Sequence, residues 1–312
     1  MPNKTLLSSL ATLLLACVAH AAVAAPPVPL LWKVSDADNS VYLLGSFHLL
    51  KPGDYPLSKD VDDAFADSKA LVFEIPPEEI GSPSLAMQMS QAALRTDGTQ
   101  LDGDLSPGLR AQLQAWQAAN AAGLQKIGLA PQVLQMFEPW FVGLTVSVID
   151  MASHGLDPKL GLDEHLAVEA EAKGKPTSGL ETGAQQIAFL DHMDHDEQLQ
   201  FLDEALTESA QGQKELEILH TAWRAADVAT LWDGMAADMK HNYPKLYQHI
   251  NVERNDAWVP KIEQFLKAPG RDDTLVVVGA LHLLGNDGVV EKLRARGYKV
   301  ERICSACSRG TR

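Results

Sequence analysis

Two histidines stand in matching positions near the two ends of the chain. The segments Gly45-Ser-Phe-His48-Leu-Leu and Gly279-Ala-Leu-His282-Leu-Leu each end an apolar run of strand type. A glycine at a strand end permits a sharp turn or the close approach of another group. Open α/β sheets carry their sites at the carboxyl ends of strands. Either histidine alone would be assigned to the core, but the matched pair predicts two imidazoles at one site, suited to metal or proton chemistry.

Two glutamates occupy the ends of further predicted strands. Glu74 interrupts the apolar run Leu71–Ile75, where a buried carboxylate is costly unless it is paired or bound to a cation. Glu181 ends a short strand and precedes a helix, whose N-terminus also favours an acidic side chain. A solvent-facing Glu74 is the alternative. Beside two histidines, however, a strand-end carboxylate is the expected third ligand of a divalent metal.

Four other polar residues have simple interpretations when each is taken alone. Arg254 and Asn255 lie in a predicted helix and by themselves would belong to a solvent-exposed face. Asp163 and His165 stand at the start of another predicted helix, for which N-capping is the simpler role.

The segment 191–196, Asp-His-Met-Asp-His-Asp, is rich in side chains that bind metals. Asp194 and Glu197, however, have the spacing of a capping box, so we predict an exposed loop that begins a helix rather than a metal site. The chain has no H-E-x-x-H motif, P-loop, dinucleotide fingerprint or G-x-S-x-G elbow, so serine-hydrolase and nucleotide-binding functions have no supporting motif.

These residues require a sheet assembled from both ends of the chain. We predict strands at 31–35, 40–44, 71–75, 176–181, 274–279 and 298–303, with helices at 58–69, 83–95, 106–122, 128–153, 161–173, most of 183–268 and 285–296. The predicted fold class is α+β (α/β-like). A central sheet from the N- and C-terminal segments carries a long helical middle insertion, about 83–268, that forms a cap. We expect residues 26–312 to form a single domain.

Residues 1–25 have the features of a signal peptide. A positive charge at Lys4 precedes an apolar stretch, and small residues offer cleavage sites. The alternative is a lipoprotein signal, with Cys17 as the lipidated residue. Only in that case do we expect the membrane as a partner. Both interpretations predict a periplasmic or secreted protein.

Charge and cysteine content further restrict the classes of function that the sequence supports. The chain has 26 basic and 41 acidic residues, a formal net charge of -15, and no basic patch. We therefore expect no nucleic-acid partner. Cys304 and Cys307 form a C-x-x-C near the C-terminus, which we interpret as a small disulfide in an oxidising compartment. A redox motif would instead open a helix after a strand.

Taken in order, the motifs resemble the TraB/PrgY/GumN family, which includes the Tiki metalloproteases. The family is more broadly similar to erythromycin-esterase and heme-uptake ChaN-like proteins. The segments that carry the resemblance span about residues 30–303. They are Leu31-Trp32, Tyr42 to His48, Phe73-Glu74-Ile75, Gly161-Leu162-Asp163, Leu180-Glu181-Thr182, Glu253-Arg254-Asn255 and Val278 to His282.

The resemblance implies a divalent-metal site and hydrolysis of peptide bonds. Manganese or cobalt is the implied metal, with zinc or iron as alternatives. The residues that it places at the site are Gly45, His48, Glu74, Glu181, Arg254, Asn255, Gly279 and His282.

We therefore expect a secreted metal-dependent hydrolase that acts on a peptide or protein. His48, Glu74 and His282 would hold the metal, and the metal would activate water. Glu181 would serve as general base or as a further ligand, and Arg254 would stabilise the developing oxyanion. The alternative function is that of a non-catalytic protein that binds a peptide or heme-like ligand in the same cleft. The sequence does not indicate the oligomeric state.

Overall fold

The sheet determines where the polar residues meet. The computed structural model describes residues 25–307, and within that range six strands form one mixed sheet. The strands are β1 (Leu31–Ser35), β2 (Ser40–Ser46), β3 (Ser68–Phe73), β4 (Thr177–Gly179), β5 (Asp273–Gly279) and β6 (Lys299–Arg302). Their order across the sheet is β4-β3-β5-β2-β1-β6. The predicted signal peptide, apart from its last residue, and Cys17 lie outside the described residues.

Four neighbouring strands of this sheet run parallel. β2 pairs with β5, β5 with β3, and β3 with β4, whereas β1 pairs antiparallel with β2 and β6 pairs antiparallel with β1. Ser46 at the end of β2 is the partner of Gly279 at the end of β5. Because parallel strands have their carboxyl ends at one edge, the two G-x-x-H segments leave the sheet side by side.

Within residues 25–307, all the helices lie between β2 and β6 along the chain. Within residues 25–307 they are α1 (Lys59–Asp67), α2 (Pro83–Ala93), α3 (Pro107–Ala119), α4 (Ala121–Lys126), α5 (Pro131–Leu134), α6 (Pro139–Ser153), α7 (Leu162–Lys173), α8 (Gly183–Asp191), α9 (His195–Gln211), α10 (Gln213–Arg224), α11 (Val228–Trp232), α12 (Asp238–Asn242), α13 (Pro244–Tyr247), α14 (Glu253–Leu266) and α15 (Val289–Ala295). Short 3-10 turns span Pro52–Asp54, Leu101–Gly103, Pro158–Leu160 and Ala280–Leu283, and π-helical segments span Asp233–Ala237 and Gln248–Val252.

The prediction of an α+β fold with a sheet built from both ends of the chain is confirmed. β4 lies within the predicted insertion and nevertheless belongs to the sheet. The bounds of the domain, 26–312, and of the cap, 83–268, stay predictions.

Several boundaries differ from the sequence prediction. The predicted helix 128–153 is divided into α5 and α6, because Pro139 can occupy the first turn of a helix but not its interior. The predicted strand 71–75 begins earlier, at Ser68, and ends at Phe73. Glu74 therefore follows the strand instead of interrupting it.

Apolar packing attaches helices to the sheet. β2 is buried along its whole length, and β5 is buried from Thr274 to Val278, as expected for strands covered on both faces. The same apolar cluster includes Trp223 of α10 and Trp258 of α14. These two helices therefore pack against the edge at which the G-x-x-H segments emerge. No helix within residues 25–307 has the length and apolar character needed to cross a membrane.

The helices α6 and α9 approach each other most closely at a glycine. A Cβ atom at Gly143 would lie 2.9 Å from Cδ1 of Phe201 and 3.2 Å from Cα of Leu202. At these positions the two helix backbones would have to separate to admit a methyl group. The glycine at position 143 therefore lets α6 pack closely on α9.

Replacing Gly143 with Ala should destabilise the protein by about 1–3 kcal/mol, because the added methyl group overpacks the contact with α9. Chemical denaturation of the purified protein measures the change. Gly123→Ala is the matched control, since its Cβ would have its nearest neighbour, Cγ2 of Ile149, at 3.7 Å. Equal stability of the two variants would contradict the proposed close packing.

Candidate functional site

The parallel strands bring the predicted site residues to one edge of the sheet. His48 follows β2, Glu74 follows β3, Glu181 follows β4, and His282 follows β5. Arg254 and Asn255 reach the same place from α14. The structure thus brings together all six polar residues that the sequence singled out, and Gly45 and Gly279 lie in the two strands that carry the histidines.

His48 is held through Nδ1, which lies 2.8 Å from Oδ2 of Asp163. The Oγ of Ser46 also donates to this carboxylate, at 2.9 and 3.0 Å. The negative charge of Asp163, opposed in part by desolvation, raises the pKa of His48 to about 9. The side chain of His48 is nevertheless 56% exposed, since it borders a cavity. Asp163 therefore sets the direction of the ring while leaving its Nε2 edge open.

His282 is held in the same manner by a neutral partner. Arg254 Nη1 lies 3.1 Å from its Nε2 and can only donate, so Nε2 accepts. Nδ1 then carries the hydrogen and donates to Oδ1 of Asn255 at 2.8 Å. Burial, followed by the charge of Arg254, lowers the pKa of His282 to about 3. The ring is consequently neutral, with its lone pair on Nε2.

Glu74 accepts hydrogen bonds through both oxygens. Oε1 accepts from the Gly279 amide at 2.7 Å, and Oε2 accepts from Arg254 at 2.6 Å and from Gln186 at 3.3 Å. Burial opposes its ionisation, but the charges of Arg254 and His48 and the hydrogen bond from Gly279 hold the pKa of Glu74 below its usual range. The alternative of a solvent-facing Glu74 is therefore wrong, because the residue is only 7% exposed.

Arg254 is shared between two carboxylates. Its Nη2 donates to Glu74 and to Oε1 of Glu181, both at 2.6 Å, and its guanidinium lies 4.6 Å from the ring centroid of Trp258. Burial opposes the cation, yet Glu74 and Glu181 raise the pKa of Arg254 above its ordinary value. Arg254 and Asn255 are thus buried in the site, and assigning them to a solvent-exposed face is wrong.

Glu181 lies behind Arg254 as seen from the cavity. Its Oε2 accepts from Nε1 of Trp258 at 3.0 Å, and its backbone amide donates to the Glu74 carbonyl at 2.8 Å. Glu181 does not line the cavity, whereas Glu74 and Arg254 do. These contacts orient the arginine rather than expose a free carboxylate.

Three donor atoms converge in front of Gly279. Nε2 of His48 lies 3.9 Å from Oε1 of Glu74, and Nε2 of His282 lies 4.0 Å from the same oxygen. A Cβ at Gly279 would lie 3.2 Å from Oε1 of Glu74 and 3.5 Å from Nε2 of His48. Gly279 therefore leaves the space between these donors open.

The donor set fits a divalent metal in its chemistry. Two imidazoles and a carboxylate are common ligands of such ions, and each imidazole has its other nitrogen bonded, as metal-binding histidines do. Within residues 25–307, however, no three His, Cys, Asp or Glu side chains lie close enough together to hold an ion. The Nε2 lone pair of His282 accepts from Arg254. A metal would have to replace Arg254 at this lone pair and displace any proton on Nε2 of His48.

Asp163 has a contact that its assignment as an N-cap did not anticipate. The N-cap of α7 is Gly161, and no side chain caps this helix, so the capping interpretation is wrong. A Cβ on Gly161 would lie 2.2 Å from the His48 carbonyl oxygen. The glycine thus lets α7 approach the His48 loop closely enough for Asp163 to bond the ring. His165 points elsewhere and packs against Tyr55.

The other two sequence predictions about polar motifs are confirmed. Asp194 caps α9 in a reciprocal capping box with Glu197, and His192 and His195 are exposed. Cys304 and Cys307 form a disulfide in a turn that follows β6.

A cavity of about 700 Å³ extends from the site toward the cap helices. Its base includes His48, Glu74, Arg254 and His282. Residues of α6, α9 and α10 line other parts of its wall, among them Met151, Glu204, Glu208, Leu216 and His220. Substrate-sized molecules can therefore reach the converging donors.

Sequence reasoning missed the residues that hold the site residues in place. Ser46 and Trp258 each donate to one of the site carboxylates, and Gln186 donates to both Glu74 and Glu181. Ser46 lies within a quoted motif and Trp258 lies three residues after another, and that proximity was the available signal. Gln186 lies five residues after Glu181 and carried no signal of its own.

The chain is similar to proteins of known sequence along most of its length. The model of the TraB/PrgY/gumN family matches residues 30–302. Uncharacterized protein YbaP of Escherichia coli (strain K12) is 25% identical, with 81% of this chain and 87% of that protein covered. Metalloprotease TIKI1 of Danio rerio is 24% identical, with 87% of this chain and 62% of TIKI1 covered.

No solved structure matches the chain. The family assignment therefore comes from sequence, and the matched range includes every residue of the site from His48 to His282. The chain belongs to the TraB/PrgY/gumN family.

Proposed function

We propose that this protein is a divalent-metal-dependent hydrolase that cleaves peptide bonds. The convergence of Nε2 of His48, Nε2 of His282 and Oε1 of Glu74 at the base of a cavity carries the proposal. The similarity to a metalloprotease, TIKI1, supports it independently. The predicted signal peptide would place the reaction in the periplasm or outside the cell.

His48, His282 and Glu74 would hold the ion. Manganese or cobalt is the metal that we propose, with zinc or iron as alternatives. Bound there, a divalent ion supplies Lewis-acid activation of water and of the scissile carbonyl group. Asp163 and Asn255 keep the two imidazole rings directed toward this place by accepting from Nδ1.

Arg254 supplies a fixed positive charge beside the same place. It lines the cavity, and its Nη1–H group now donates to His282. In the reaction this group would donate instead to the oxygen on which negative charge develops. A preoriented donor in a site with little water is worth far more than the same donor in bulk water.

Glu181 and Asn255 act through their neighbours. Glu181 shares Arg254 with Glu74 and therefore holds the guanidinium at the edge of the cavity. Asn255 is fully buried and touches the reacting region only through His282. We therefore propose positioning roles for both residues and reserve contact with substrate for Arg254.

The metal-binding and catalytic parts of the proposal can be measured together. Protein purified without chelators and then incubated with manganese should bind about one ion per chain. It should hydrolyse members of a fluorescence-quenched random peptide library. The double variant His48→Ala/His282→Ala should lose both properties, because two of the three proposed ligands are absent.

A double variant of the exposed histidines, His192→Ala/His195→Ala, is the matched control and should keep both properties. Metal binding that survives in the His48/His282 variant but not in the control variant would contradict the proposed site. Saturable peptide binding without product, in wild type loaded with each of the four metals, would instead indicate a binding protein.

Gly279→Ala should inactivate the enzyme without unfolding it. The added methyl group would occupy the space between Glu74 and His48, and a displacement of about 1 Å at a reacting centre costs about 100-fold in rate. Peptide hydrolysis and thermal unfolding would be compared with Gly108→Ala, whose Cβ would have its nearest neighbour at 3.9 Å. Unchanged hydrolysis in the Gly279 variant would rule out chemistry at this point.

A further inference from the structure

A third histidine faces the cavity and has no place in the mechanism above. His220 of α10 lines the same cavity as His48 and His282. Its Nε2 lies 2.8 Å from Oδ2 of Asp54. Like His48, this histidine is therefore anchored through one nitrogen by a carboxylate outside the cavity.

The carboxylate of Asp54 is a buried hydrogen-bond acceptor. The residue is 1% exposed, and its carboxylate accepts from Arg224, from the Lys51 amide and from His220. Burial opposes its charge, but these hydrogen bonds lower the pKa of Asp54. Because an ionised carboxylate can only accept, Nε2 of His220 must carry a hydrogen.

The other ring nitrogen, Nδ1, is the one left to bind a molecule in the cavity that His220 lines. Within residues 25–307, the side chain of His220 makes its hydrogen bond to Asp54, through the Nε2 atom of the ring. Nδ1 is not among the buried polar atoms that lack a partner. The Nδ1 atom therefore keeps some exposed surface, on a side chain that lines the cavity and is 11% exposed as a whole. In the neutral ring this nitrogen is an acceptor.

The position of His220 relative to His48 is fixed by aromatic packing. The ring of Trp223 lies between those of His220 and Phe47, with centroid distances of 6.4 and 5.5 Å and interplanar angles of 18° and 22°. Trp223 Nε1 also donates to the Gly45 carbonyl oxygen at 3.1 Å. The G-x-x-H segment and His220 therefore form one continuous part of the cavity wall.

We propose that His220 is a substrate-binding residue whose Nδ1 accepts a hydrogen bond from a backbone N–H group of the bound peptide. This inference rests on the proposed peptidase function. A peptide offers N–H donors at regular intervals along its backbone, whereas the cavity side of His220 offers one acceptor held in a fixed direction. The residue binds and orients the peptide, while bond cleavage takes place at the base of the cavity.

Kinetics of His220→Lys test this role. The lysine ammonium group can still donate to Asp54, but it has no acceptor. With a fluorescence-quenched random hexapeptide library as substrate, KM should rise about threefold to tenfold, as expected for the loss of one hydrogen bond, while kcat changes less than about twofold. Lys214→Gln, an exposed change on the same helix, should leave both constants unchanged.

Chemical modification of the wild-type protein provides a test that needs neither a folded variant nor turnover. Diethyl pyrocarbonate should modify His220 in the native protein, and saturating library peptides should slow this modification at least about threefold. Peptide mass mapping resolves the ten histidines of the chain. The exposed residues His192 and His195 should react at the same rate with and without peptide.

The outcomes separate the two proposals. Protection of His48 without protection of His220, or an unchanged KM in His220→Lys, would overturn the assignment of His220 and leave the hydrolase proposal intact. Absence of turnover together with no protection of either histidine would overturn the proposed function, and the role of His220 with it.

Discussion

The charge of Arg254 is the constraint on which the site depends. Glu74 and Glu181 are buried at the ends of adjacent strands, where two carboxylates without a cation would repel each other and lose their hydration. Arg254 donates to both, and so it also connects α14 to the edge of the sheet. Removal of one partner from such a network leaves an unpaired buried charge, which costs about 3–5 kcal/mol.

The sheet and α14 have different functions in the site. The strands supply the groups that face the cavity, namely His48, Glu74 and His282, because their parallel carboxyl ends coincide. The helix supplies the groups that orient them: Arg254 and Asn255 contact the strand-end side chains directly, and Trp258 donates to Glu181.

The local patterns of the sequence were sufficient where neighbouring residues decide the structure. The capping box at Asp194 and the strand that ends at Gly279 follow from short-range rules of hydrogen bonding and apolar patterning. Similar reasoning failed for Asp163, since its partner His48 lies more than one hundred residues away. It also failed at Arg254, whose two carboxylate partners come from separate strands.

The sequence by itself determined the positions of the six strands to within a few residues, that the sheet draws on both ends of the chain, and that two histidines share one context. Only the tertiary structure decided which nitrogen of each histidine is free. That choice depends on long-range partners: Asp163 for His48, Asn255 and Arg254 for His282, and Asp54 for His220. Strand ends are set by local backbone preferences, but the direction of an imidazole lone pair is set by whatever donor or acceptor the fold places beside the ring.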